Sequence, residues 1–162
     1  MASKKHWLLL GALIGLVLVL DQATKLYVHT TFALHETRPV IDNHFAFTYV
    51  RNSGAAFGLL AGHNSTFRRL FFPIVTAVAV VALVVYFTRV PADYTYTRWG
   101  IGLIIGGALG NGIDRLWLGQ VIDFIDVYWY AYHWPAFNIA DSAICIGVGL
   151  LLLEAFRQPR TT

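Results

Sequence analysis

Residues 70–88 make a run of 19 residues without one charged side chain. A stretch of that length must satisfy its backbone hydrogen bonds internally and reaches across a hydrocarbon layer of roughly 30 Å, so it is expected to be a membrane helix. Pro73 falls in the first turn of this span, where a missing N–H does no harm. Three more segments have the same character. Residues 7–20 are uncharged and continue as plausible helix to residue 28, with no small-residue cleavage site, so 7–28 reads as an uncleaved first span. Its 22 residues would reach about 33 Å. Residues 95–113 carry Gly102-x3-Gly106-x3-Gly110, a ladder of small residues for close helix packing, and residues 137–156 make the fourth span.

With 57% hydrophobic and 13% charged residues, the chain is too apolar for a soluble domain of 162 residues. It reads as one membrane domain over 1–162, a mainly α integral membrane protein. Four transmembrane helices carry a small extracytoplasmic β-sheet and a covering loop. The twelve basic residues lie singly or in pairs and form no stripe, which argues against nucleic acid. Cys145 sits in an apolar run and reads as a small buried hydrophobe; a single cysteine supports no disulfide framework.

Four spans put both termini on one side, leaving segments 29–69 and 114–136 on the other. Basic residues divide evenly between the two sides, but Arg89 and Arg98 flank a very short connection and mark that side as cytoplasmic. In the first long segment, Phe45, Phe47 and Tyr49 alternate as one face of a strand, followed by Arg51-Asn52-Ser53-Gly54-Ala55-Ala56-Phe57. The covering role is expected of this segment and of the aromatic stretch from Trp129 to Trp134, whose aromatics fit an interfacial belt equally well.

The polar residues do not scatter. Asp21, Asn52, Asn111, Asp114, Asp123, Asn138 and Asp141 all fall at the same membrane face, and acids with independent structural roles would have no reason to congregate. Asp21 and Lys25 stand at i,i+4 and can neutralise each other, a structural pair as readily as part of a site. Asn138 suits a helix N-cap, with Asp141 three residues on where the helix dipole favours an anion. Asp123 alternates with Asp126 in an extended segment and has no basic neighbour in sequence. If that segment folds back over the fourth helix, Asp123 and Asp141 meet. Two carboxylates that close cannot both ionise easily, so one pKa rises well above about 3.9 while the other stays low.

Residues alone leave three classes open. A pair of acids sharing a proton could activate water. Asp114, Asp123 and Asp126 could instead bind Mg²⁺ in a lipid-headgroup transferase, or Asp21, Asp114 and Asp141 could relay protons in a small transporter. A zinc peptidase is disfavoured, since the chain has no His-Glu-x-x-His.

Five segments carry a resemblance over nearly the whole chain: Asp21-Gln22-x-Thr24-Lys25, Arg51-Asn52-x-Gly54-Ala55-Ala56-Phe57, Gly106-Gly107-Ala108-Leu109-Gly110-Asn111-x-x-Asp114-Arg115, Val121-x-Asp123-Phe124 and Phe137-Asn138-x-Ala140-Asp141-Ser142. In order and spacing they resemble the lipoprotein signal peptidases, or signal peptidase II, aspartic peptidases of the bacterial inner membrane. The resemblance implies that Asp123 and Asp141 are the catalytic dyad and that Asn52, Asn111, Arg115 and Asn138 line or support the substrate site. Asp21 and Asp114 would serve the site's architecture. It also implies a substrate whose cysteine bears a diacylglyceryl group, cut before that cysteine, with membrane lipid as surroundings. No cofactor, no metal and no obligate protein partner are expected. Gly112 stands where that family usually has a bulkier apolar residue, which predicts looser local packing.

Overall fold

The computed structural model describes residues 3–54 and 65–157. Four long helices and a four-stranded antiparallel sheet alternate as α1 (Lys4–Thr31), β1 (Thr37–Ile41), β2 (Phe45–Asn52), α2 (Ser65–Arg89), α3 (Thr95–Leu118), β3 (Val121–Trp129), β4 (Tyr132–His133) and α4 (Ile139–Arg157). The strands lie in the order β1-β2-β3-β4, so the sheet joins segments from either side of α2 and α3 in the chain. Among the described residues, α1, α2 and α4 are long and apolar enough to cross a membrane. The 24-residue α3 is as long, but its interior includes Arg98, Asn111 and Asp114, all buried.

Each expected span is a helix, with its ends moved. The first reaches three residues further at either end. The third continues past 113 to Leu118, so Asp114 and Arg115 belong to a helix rather than to the second long segment. It stops at Gly119, whose left-handed φ of 71° and N–H bonded to the Arg115 carbonyl close the last turn. The second helix begins at Ser65, so Pro73 lies inside it and not in its first turn. The carbonyl one turn earlier, that of Arg69, therefore lacks its helical partner.

The glycine ladder explains how the helices close. A Cβ on Gly102 would stand 3.1 Å from Leu13 Cβ, one on Gly106 2.8 Å from Val17 Cβ, and one on Gly110 2.6 Å from Asp21 Oδ2. Rows at i,i+4 on α3 thus meet rows at i,i+4 on α1, and the ladder ends on a carboxylate. Gly100 and Gly107 do the same toward α4, against the carbonyls of Gly147 and Ala140. Gly112 is not a loose spot: its missing Cβ would lie 3.3 Å from Thr76 Cγ2, so α2 packs closely against it. Cys145 is exposed on α4, not buried, in a run that is apolar and long enough to cross a membrane.

In the sheet, Phe45 and Phe47 pack together with centroids 5.1 Å apart, but Tyr49 does not join them. Phe47 pairs with Ile125 and Val50 with Asp123, so β2 holds one residue more than β3 between those pairs. That bulge turns Thr48 and Tyr49 inward together, and both are buried. Tyr49 joins a core of Val28, Phe32, Ile122 and Phe124 beneath the sheet. Of the aromatics from Trp129 to Trp134, Trp129 stands six residues along β3 from Asp123, about 20 Å at the rise of a strand, and the chain then folds back until the Trp134 N–H bonds the Val127 carbonyl. These aromatics form an exposed cluster beside His44. Ala55, Ala56 and Phe57, with the rest of 55–64 in the first long segment, lie outside the described residues.

Candidate active site

Lys25 organises the polar interior. Its Nζ lies 2.8 Å from Asp21 Oδ2 and 2.9 Å from Asp114 Oδ2, and it donates to Asn111 Oδ1 at 2.9 Å. Three N–H groups meet three acceptors, so every donor of an ammonium only 2% exposed is satisfied. The two acids then tie down backbone. Asp21 Oδ1 accepts from the Ala140 N–H at 2.9 Å, in the first turn of α4, and Asp114 Oδ2 accepts from the Ile122 N–H at 3.1 Å, at the start of β3. Gln22 Nε2 spans both carboxylates and the Gly110 carbonyl. Asp21 and Asp114 therefore hold α4 and β3 in place. The i,i+4 spacing of Asp21 and Lys25 showed the pair in sequence; the further partners of Lys25 and the bridging role of Gln22 had no local signal.

Asn138 is the N-cap of α4 as expected, and it does more. Its Oδ1 accepts from the Asp141 N–H at 2.9 Å while its own N–H donates to Asp141 Oδ2 at 3.3 Å, a reciprocal capping box. Its Nδ2 also donates to Asp123 Oδ1 at 2.7 Å, to the Ile122 carbonyl at 3.2 Å and to Asn111 Oδ1 at 3.2 Å. Asn111 Nδ2 in turn donates to Asp141 Oδ1 at 2.8 Å. One asparagine thus touches both Asp123 and Asp141, and a second joins that pair to Lys25.

Asn52 reaches the same point from β2, its Nδ2 donating to Asp123 Oδ2 at 3.2 Å. Its Oδ1 accepts from the Gly54 N–H at 2.9 Å, which turns the amide so that its donors face the carboxylate. Arg115 donates to the Gly54 carbonyl at 3.1 Å and lies 4.4 Å over the Phe72 ring, with its charge acting on Asp141, Asp123 and Asp114. Asp126 points away, bonded to His133 at 3.0 Å, and takes no part.

Burial, and then the charge of Asp141, push the Asp123 carboxyl up to about 7. The amides of Asn52 and Asn138 and the charge of Lys25 pull the other way without winning. Asp123 therefore holds its proton at a pH where ordinary aspartates have lost theirs, next to a half-buried Asp141 at a helix N-terminus. Such a couple can take a proton from one group and give one to another.

Fold and site together define a helical membrane protein whose polar interior ends in a carboxylate pair, the arrangement of a membrane enzyme. Similarity agrees. Two solved structures, each described as a bacterial membrane enzyme obtained by the in meso method, superpose with TM-scores of 0.79 and 0.78 at 35% and 36% identity. They cover 94% and 93% of this chain, and 92% and 94% of their own. The chain belongs to the signal peptidase II family: residues 13–157 match the family model for signal peptidase (SPase) II. The lipoprotein signal peptidase of Syntrophotalea carbinolica is 52% identical over 88% of both chains. That of Haemophilus influenzae is 46% identical over 98% of this chain and 91% of its own. The family's proteases remove signal peptides from lipoprotein precursors, and neither the transporter nor the headgroup-transferase reading finds support in these comparisons.

Proposed function

We propose that this chain is an aspartic endopeptidase in which Asp123 and Asp141 form the catalytic pair. Its substrate is a diacylglyceryl-modified prolipoprotein, cut before the lipidated cysteine. The observation that carries this reading is that Asn138 is bonded to both carboxyls, to Asp123 through its side-chain amide and to Asp141 through its backbone N–H, and that Asp123 retains its proton to about pH 7.

Asp141, at the N-terminus of α4, is the anionic member and removes a proton from water as the water oxygen attacks the scissile carbonyl. Asp123 donates its proton in a hydrogen bond to the developing oxyanion. When the C–N bond breaks, the leaving cysteine nitrogen takes a proton from the pair, which returns to its starting state with one proton. Asn138 and Asn111 hold the two carboxyls at a set separation, and Asn52 and Arg115 face the space in front of them. The lipid chains of the substrate remain in the bilayer because each buried methylene is worth about 0.8 kcal/mol, so the bond must be cut at the membrane surface.

The same reasoning sets the topology. α3 spans the membrane as well, its Asp114 paired with Lys25 of α1, and the short connection between α2 and α3, flanked by Arg89 and Arg98, faces the cytoplasm with both termini. The sheet and acids then face the periplasmic side of a bacterial inner membrane. The test uses purified Asp123→Asn and Asp141→Asn with a lipidated precursor, its unlipidated counterpart and a chelator. Both substitutions should abolish cleavage, wild type should spare the unlipidated precursor, and the chelator should change nothing. Cleavage by either variant would refute the pair, and inhibition by chelator would point to metal chemistry.

A further inference from the structure

The bulge in β2 decides which residue Asp123 sees. Val50 pairs with Asp123 and Asn52 with Val121, so Val50 and Asn52 share the face of the sheet that carries Asp123. Arg51 and Tyr49 lie on the opposite face with Ile122. Without the extra residue, the alternation would set Arg51 toward the acids and turn Asn52 away. Something must hold the extra residue in.

Tyr49 is the second bulge residue, 3% exposed, and its hydroxyl is bonded from two sides. Arg51 Nε donates to the Tyr49 hydroxyl oxygen at 2.8 Å, with its guanidinium 5.6 Å from the ring centroid. His29 Nδ1 lies 2.6 Å from the same hydroxyl. Arginine only donates, so the hydroxyl oxygen accepts from Arg51 and has both its hydrogen and a second lone pair left for the bond shared with His29 Nδ1. The ring of His29 packs edge-on against both Tyr49 and Trp117 of α3. On its other edge the bulge is bonded by backbone, with the Tyr49 N–H donating to the Glu36 carbonyl at 3.0 Å and the His35 N–H to the Tyr49 carbonyl at 2.8 Å. The hydrogen bonds of Asp123 run to Asn52 and Asn138, not to this group.

We infer that His29, Tyr49 and Arg51 form a clamp between the end of α1 and the bulge of β2 that sets the strand register, and that its function is to present the Asn52 amide to Asp123. His29 and Tyr49 are thus positioning residues for the reaction, acting through Asn52. The inference rests on the reading of Asp123 as the proton-bearing member of the pair. The groups that face Asp123 are Asn52 from β2, Asn138 and Asp141 at the start of α4, Lys25 from α1 and Arg115 from α3, and the clamp acts on the first of these alone.

The test compares kcat/KM against pH for wild type, Asn52→Ala, Tyr49→Phe and the double variant, with the lipidated precursor. The Asn52 amide favours the charged form of Asp123, so its loss should move the alkaline limb near pH 7 upward. Tyr49→Phe keeps the buried ring and loses only the hydroxyl; it should move the same limb in the same direction and lower kcat/KM by up to about a hundredfold. The double variant should be no worse than Asn52→Ala. At position 29, His29→Asn offers an oxygen near the place of Nδ1 and should restore most of the activity that His29→Leu loses. This second pair carries the test should Tyr49→Phe fail to fold. A Tyr49→Phe or His29→Leu enzyme that is slower with its limb unmoved overturns the clamp, as does a double variant whose losses multiply. If Asn52→Ala leaves the limb in place, the assignment of Asp123 falls instead.

Discussion

Asp123→Asn should abolish cleavage and, unusually for an active-site substitution, make the folded protein relatively more stable as pH rises. The carboxyl titrates at about 7 in the folded protein against an ordinary 3.8. Between those values the folded state binds a proton that the unfolded state has released, so unfolding stability falls with rising pH. The sign follows directly: the contribution is fully present below 3.8, declines through the window and is gone above about 7. Each pH unit inside the window removes about 1.4 kcal/mol, so the total is on the order of 4 kcal/mol. Asp123 is 3% exposed, and solvent screening takes little from that figure. Asparagine does not titrate and escapes the loss. Its own cost, a weakened bond to Asn52, is independent of pH. Unfolding of both proteins in mild detergent, followed by tryptophan fluorescence from about pH 4 to about pH 8, separates the two effects. The stability difference should swing toward the variant by roughly 4 kcal/mol across that range and level off above it. A difference that stays flat with pH would refute the raised carboxyl and with it the division of roles between the acids.

Three further outcomes follow from the packing. Lys25→Met leaves Asp21 and Asp114, 0% and 2% exposed, without their cation and should cost about 3–5 kcal/mol in the same unfolding measurement; adding Asp21→Asn and Asp114→Asn should recover much of it. Gly110→Ala would press a methyl to 2.6 Å from Asp21 Oδ2 and should lose about 1–3 kcal/mol together with activity. At Gly112 the nearest atom is Thr76 Cγ2 at 3.3 Å, and Gly112→Ala should fall within about 1 kcal/mol of wild type in thermal unfolding. Equal effects at the two glycines would contradict the packing described.

Short-range chemistry made the helices, the cap and the convergence of acids legible in the linear chain. Long uncharged runs have one stable fate in lipid, glycines four apart mark one helix face, and an Asn followed three residues later by an Asp is a local arrangement. What could not be read was everything that depends on register and depth. Tyr49 looked like a partner of Phe45 and Phe47 because alternation assumes an unbroken strand, and a bulge is set by what lies above and below it. Lys25 looked like half of a local i,i+4 pair with Asp21 because its second and third acceptors, Asp114 and Asn111, come from a helix more than eighty residues later in the chain. Residue identity thus determined that acids and amides would gather at one end of a helical bundle. Only the tertiary structure decided which carboxylate is buried, and burial is what raises the Asp123 carboxyl while leaving Asp141 beside it at the start of a helix.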